Sequence, residues 1–246
     1  MKKLKPFPLL LIIVLLIFAA GCSSAVKEGD AAWEQGDHAT ALEKYLSAEK
    51  KLDGLQLNRV GWMYNTGNGV EANSAKALEF YIKAADKGYD KAYNNIGYCY
   101  EIGEGTPQDY TKAAEYYQKA VDAGNTAAMS NLGMMYYDGR GVAKDLNKAF
   151  ELFLRGAEQG QPDCMNSVGI AYEFGEGTEQ DIDKAVDWYE KAAEAGSSGA
   201  LYNLALLHEE GYGVEKDMNK AIDLLKQARD AGLEEAVEEL ERLHAA

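Results

Sequence analysis

The 246-residue sequence is 47% hydrophobic and 26% charged, with 25 Gly, 4 Pro and 16 Tyr, a balance that excludes a disordered chain. Its formal charge of −15 at pH 7 argues against nucleic acid, whose phosphates require clustered Lys and Arg. The same charge favours a basic partner or serves solubility alone. No Pro/Ser-rich linker or long charge run divides the chain, so one elongated domain is expected.

Lys2, Lys3 and Lys5 precede an uncharged apolar run from Leu9 to Ala20, followed by Gly21-Cys22-Ser23-Ser24. The run is shorter than the roughly 20 residues a membrane span needs, and it has the order of a secretory signal peptide over residues 1–21. Ala19-Ala20-Gly21-Cys22 resembles the lipobox of bacterial lipoproteins, departing from it at Ala19, where that family usually has Leu. The resemblance implies lipidation of Cys22, which becomes the new N-terminus. Each buried CH₂ contributes about 0.8 kcal/mol, so several acyl chains anchor stably. In such lipoproteins Ser23 after the cysteine implies the outer membrane; a periplasmic face is expected, with surface display left open. Removing residues 1–21 with their three lysines takes the formal charge to −18.

Residues 22–54 contain the lipidated terminus and one short helical hairpin, Val26 to Asp53, turning at Gly36-Asp37. Gly29, Ala41, Tyr45 and Ala48 have the spacing of a tetratricopeptide unit. Ala41, Tyr45 and Ala48 also stand 36 residues before Ala77, Tyr81 and Ala84.

From residue 55 to 234 a 36-residue unit recurs five times. Gly61, Gly97, Gly133 and Gly169 form one series, continued by Ala205. Gly67, Gly103, Gly139, Gly175 and Gly211 form a second, and each is followed two residues later by another glycine. Lys-Ala pairs recur at Lys76, Lys112, Lys148, Lys184 and Lys220, and each unit closes at Gly88, Gly124, Gly160, Gly196 or Gly232. Within a unit, Ala92, Ile96 and Tyr100 lie four apart and so share one helical face. That first helix ends at Gly-x-Gly, where glycine admits positive φ. A second helix begins near Asp109, Asp145, Asp181 or Asp217, suitable N-caps, and buries a face such as Ala113, Tyr116-Tyr117 and Ala120. A single pair of such helices cannot bury its own apolar face; stacking does. In residues 235–246, Ala236 and Leu240 match Ala200 and Leu204. One last helix is expected there, its other face capped by Glu234, Glu235, Glu238, Glu239 and Glu241.

Residues 163–198 carry Val168-Gly169, Tyr172, Gly175, Gly177, Asp181, Lys184-Ala185, Trp188-Tyr189, Lys191-Ala192-Ala193 and Gly196. This pattern resembles the Sel-one-like repeat, a relative of the tetratricopeptide repeat, over about residues 55 to 234. Departures are Thr106 and Thr178 for Val, Asn73 for Asp, Ala205 for Gly, His208 for Tyr and Arg229 for Ala. The resemblance implies an all-α, right-handed solenoid of antiparallel helix pairs. It also implies a scaffold or adaptor role, with some relatives resembling immunity proteins against secreted phospholipases. A disulfide-rich subgroup has been linked to β-lactams, but this chain lacks its regular cysteine pairs.

In each first helix the positions three before and one after the repeat glycine point away from the hairpin seam, because two residues rotate about 200°. They are Asn58 and Trp62, Asn94 and Tyr98, Ser130 and Met134, Asn166 and Ile170, Tyr202 and Leu206. In related solenoids first helices line the concave surface. This stripe is therefore a candidate groove, its amides meeting a peptide backbone and Trp62, Tyr98 and Met134 giving contact area. Plain packing between successive first helices is the competing account. Glu101, Glu173, Glu209 and Glu210 flank the stripe and suit a basic segment or a solvated face.

The three histidines, His38, His208 and His244, lie in different parts of the chain, so no His-based metal site or Ser-His-Asp triad is expected. His208 stands in a repeat Tyr position and reads as a packed surrogate. Cys99 and Cys164 lie 65 residues apart, nearly two units, beyond disulfide reach, and are expected as free buried thiols. The expectation is a non-enzymatic, cofactor-free scaffold without a small-molecule substrate. It is exported and lipid-anchored in the cell envelope, and it binds a protein or peptide. The alternative is an immunity protein inhibiting a secreted lipase or other envelope-targeting toxin.

Overall fold

A computed structural model describes residues 24–245, and every element among them is helical. The segment read as a signal peptide, residues 1–21, and Cys22 lie outside the described residues. An N-terminal hairpin comprises α1 (24–34) and α2 (His38–Ser47), which turn at Gly36-Asp37 as expected. First helices are α3 (Gly54–Thr66), α5 (Ala92–Ile102), α7 (Thr126–Asp138), α9 (Pro162–Phe174) and α11 (Ser198–Glu210). Second helices are α4 (Ser74–Asp86), α6 (Tyr110–Asp122), α8 (Leu146–Glu158), α10 (Ile182–Glu194) and α12 (Met218–Asp230), and α13 (Glu234–Ala245) follows. The chain forms two compact units, one ending at Asp109 and one beginning at Tyr110.

Local chemistry sets the helix ends. Asn73, Asp145, Asp181 and Asp217 cap the second helices, each side chain accepting from the N–H of the lysine three residues on at 3.0–3.1 Å. Asn125, Gln161 and Ser197 cap first helices in the same way. Gly175 ends α9 with φ 71°, a left-handed conformation that costs glycine least. Two residues on, a Cβ on Gly177 would lie 2.1 Å from the Leu146 carbonyl oxygen, so the exit turn rests on the start of α8. The repeat lysine closes the outer side, with Lys184 Nζ 5.1 Å from the Tyr172 ring centre and Lys148 Nζ 5.2 Å from Tyr136.

Packing within a pair follows one rule. The second helix lays an aromatic ring directly on the backbone of the first at the repeat glycine. A Cβ would stand 2.6 Å from Tyr81 at Gly61, 2.4 Å from Phe153 at Gly133 and 2.6 Å from Tyr189 at Gly169; at Gly29 of the hairpin it would stand 2.7 Å from Tyr45. The fifth repeat has Ala205 instead, and there the ring position is Leu225; both side chains are 1% exposed in one cluster with Ala236 and Leu240 of α13. The alanine departure is thus the counterpart of a lost ring.

Each end carries its own clamp. Arg59 of α3 donates to Asp30 and to the Tyr45 hydroxyl, both at 3.1 Å, and to Glu34 at 2.9 Å, with its guanidinium 4.9 Å from the Trp33 ring. At the other end Arg242 of α13 donates to Glu209 of α11 at 2.5 Å and also bonds Glu239. On α13, Ala236 and Leu240 are buried while Glu234, Glu235, Glu238 and Glu241 face solvent.

Cys99 and Cys164 are free, and each is buried; burial pushes their thiols up to about 11 and about 12. A thiol reagent such as Ellman's should therefore modify neither in the folded Cys22→Ser chain at pH 8 and both after urea unfolding; prompt native labelling would contradict the burial. The ring-on-glycine rule gives a second expectation. Leu225→Tyr should cost about 1–3 kcal/mol by overpacking against Ala205, and Ala205→Gly in the same chain should recover most of it, read from urea midpoints.

Candidate partner-binding surface

The expected stripe divides in the structure according to how much each residue is used by its neighbours. In the first unit, Trp62 is half-buried, with ring centres 5.3 Å from Trp33 and 5.2 Å from His38. Asn58 accepts from the Asn95 amide at 2.9 Å, and Asn94 is half-buried. Tyr98 is 46% exposed. In the second unit, Asn166 accepts from the Asn203 amide at 2.9 Å, repeating the Asn58 bond. Ser130 is half-buried beside the Cys164 thiol. Ile170 packs on the Ala185–Tyr189–Leu207 cluster and Tyr202 on the Leu225–Leu240 cluster, and Leu206 is half-buried. Met134 is 37% exposed. The amide row is therefore in part a ladder that joins successive first helices, which sequence spacing alone did not distinguish from a peptide-binding row.

The acids divide too. Glu173 accepts the Tyr189 hydroxyl at 2.6 Å, and Glu209 holds Arg242, so both are structural; Glu210 is exposed and Glu101 half-exposed.

Met134 and Ile170, two of the sequence-derived residues, meet in one apolar cleft of about 130 Å³ bounded by α7, α8 and α9. Leu146, Phe150 and Phe153 are among the apolar side chains of its wall, and Ser167 lies in it with its hydroxyl donating to the Asp163 carbonyl at 2.9 Å. At the polar side, Tyr137 donates to Glu176 Oε2 at 2.7 Å. That carboxylate, and then burial, raise the phenol above its ordinary pKa. Lys144 Nζ lies 5.3 Å from the Tyr137 ring centre. Phe153, Tyr137 and Glu176 were not singled out from the sequence. For the first two the signal was departure from the series: Phe153 where Tyr45, Tyr81, Tyr117 and Tyr189 stand, and Tyr137 where Glu101, Glu173 and Glu209 stand; Glu176 lies at a position with no constant residue.

His208 is 6% exposed with Nδ1 3.1 Å from the Glu215 carbonyl oxygen, a packed substitute for tyrosine as expected. His38 lies against Trp33 and Trp62. Among the described residues no three His, Cys, Asp or Glu side chains are placed to hold a metal ion, and no helix is long and apolar enough to cross a membrane.

The Sel1 repeat model matches residues 57–89, 90–125, 126–161, 162–197 and 198–233. The chain belongs to the Sel1 repeat family. Members of this family generally serve as non-enzymatic protein-interaction scaffolds. No curated protein matches the sequence significantly. Among solved structures, a Sel1 repeat protein from Oxalobacter formigenes is 29% identical with TM-score 0.82, covering 90% of each chain. A protective antigen of uropathogenic Escherichia coli strains, displaying an SLR fold, is 27% identical with TM-score 0.74; the match covers 92% of this chain and 48% of the antigen. An immunity protein from Pseudomonas aeruginosa is 19% identical with TM-score 0.55, covering 94% of this Sel1 repeat chain and 86% of the other, a likeness of fold alone.

Proposed function

We propose that this Sel1 repeat protein is a non-enzymatic adaptor, anchored in the bacterial cell envelope through a lipid on Cys22, that binds a basic protein or peptide on the faces of its first helices. The observation that carries the reading is the solvent exposure of two large side chains, Tyr98 and Met134, at a stripe position whose residue differs in every repeat, on a chain of formal charge −15. Aromatic and Met side chains displayed in this way supply contact area, and the acidic chain steers a cationic partner toward them. The anchor rests on Cys22 at the end of the signal-like segment, and the outer membrane with periplasmic exposure is the location that Ser23 favours. An immunity protein against a secreted lipase or other envelope toxin is the second reading, and the P. aeruginosa likeness supports it in fold only.

Two measurements test this. Cys22→Ala should move the protein from the membrane fraction to the soluble fraction and abolish incorporation of labelled palmitate; retention of either would remove the anchor. In envelope crosslinking, Tyr98→Ala and Met134→Ala should each weaken capture of the partner by about fivefold or more without changing the helical circular-dichroism signal. Unchanged capture by both variants would remove the surface assignment, and a secreted lipase as the captured partner would select the immunity reading.

A further inference from the structure

In the 36-residue register the ring of the second helix is Tyr45, Tyr81, Tyr117, Phe153, Tyr189 and then Leu225. Where the ring is Tyr189, its hydroxyl is satisfied by Glu173 at 2.6 Å, so a phenol and a carboxylate occupy the seam together. In the third repeat both members have changed. Phe153 has no hydroxyl, and Tyr137 stands where Glu173 stands one unit later. Tyr137 turns its hydroxyl to Glu176, beyond the end of α9, so the phenol–carboxylate pair stands at one side of the space between α7, α8 and α9. What is left is the apolar cleft of about 130 Å³ beside the exposed thioether of Met134.

We propose that this cleft seats one leucine- or phenylalanine-sized side chain of a protein partner, and that an Arg or Lys next to that side chain in the partner pairs with Glu176. The inference rests on the adaptor reading and names the point of contact within it. Size decides the class of occupant. An apolar cavity of about 150 Å³ accepts a benzene ring, whereas sites for cofactors and drug-sized molecules begin at about 300 Å³. The walls are aliphatic and aromatic, and Met134 at the opening is unbranched and adapts to the shape of an entering group. Charge decides the neighbour. Glu176 lines the cleft, and its bond is to the neutral Tyr137 hydroxyl; among the described residues no Lys or Arg forms an ion pair with it. Lys144 lies over the face of the Tyr137 ring. A carboxylate beside an apolar opening, on a chain with 40 acidic and 25 basic residues, fits a cation adjoining the anchor.

The test uses the full chain carrying Cys22→Ala, labelled with ¹³C at the Met and Ile methyls, and four probes: acetyl-Leu-Arg-amide, acetyl-Ala-Arg-amide, acetyl-Leu-Glu-amide and octanoate. Acetyl-Leu-Arg-amide should shift the Met134 and Ile170 signals saturably, leaving the core methionines Met129 and Met135 as controls for the fold. Loss of the leucine side chain should weaken binding about tenfold, and reversal of the charge about fivefold. Glu176→Gln should erase the preference for Arg over Glu while keeping the preference for Leu over Ala, and Ser167→Trp, which fills the cleft, should abolish every response. No shift at Met134 and Ile170, equal binding of the Leu and Ala peptides, or an Arg preference that survives Glu176→Gln would overturn the proposal. So would a stronger response to octanoate than to the peptide, which would make the occupant an acyl chain. Partner capture that persists in the Ser167→Trp chain would overturn the cleft and leave the adaptor reading standing; unchanged capture by both Tyr98→Ala and Met134→Ala would instead remove the surface on which that reading rests.

Discussion

The contact on which the rest depends is the ring of a second helix lying on the bare backbone of a first helix. At Gly169 even a single methyl group would come within 2.6 Å of Tyr189, so the two helices meet at a distance that only glycine allows. Interiors are packed densely enough that such a constraint is felt on both sides. The glycine and the ring therefore change together, and Ala205 with Leu225 shows the exchange completed within one repeat. A second close approach of the same kind seats Gly177 on the start of α8, where a Cβ would lie 2.1 Å from the Leu146 carbonyl oxygen.

A buried phenol brings a second requirement, because its hydroxyl needs a partner. Glu173 meets it for Tyr189, while Asp30 and Arg59 meet it for Tyr45, and these bonds tie neighbouring elements to one another. Where the phenol is absent, the acid is released for other work. In the fifth repeat Glu209 takes Arg242 and so holds the terminal helix. In the third repeat the acid itself has become Tyr137, and an apolar space results. One packing rule thus produces the regular core, both terminal clamps and the departure that forms the cleft.

The same economy limits how much of the first-helix stripe is available to a partner. Asn58 and Asn166 accept from the side-chain amides of Asn95 and Asn203 through their Oδ1 atoms, and Trp62 is engaged by Trp33 and His38. A half-buried amide already in a ladder contributes to the spacing of repeats first, since breaking it leaves polar groups unsatisfied. Tyr98 and Met134 carry no such duty, and their exposure makes them the stripe residues best suited to contact a partner.

The sequence by itself determined the period, the helix pairs, their caps at Asp145, Asp181 and Asp217, and membership of the Sel1 repeat family. All of these depend on residues close in the chain, such as a cap three positions from the N–H it serves, or on recurrence at a constant spacing, which is visible without coordinates. Burial of Cys99 and Cys164 was legible for the same reason, because each occupies a register position whose counterparts are core, and His208 stands where partly buried or buried tyrosines recur. What only the tertiary structure decided were the pairings across helices: Asn166 with Asn203, Glu209 with Arg242, Tyr137 with Glu176, and the meeting of Met134 with Ile170 above Phe153. A helical period tells which face a side chain is on. Whether that face meets solvent, a ladder partner or a cleft depends on groups 30 to 40 residues away, whose approach is set by the ring on the glycine.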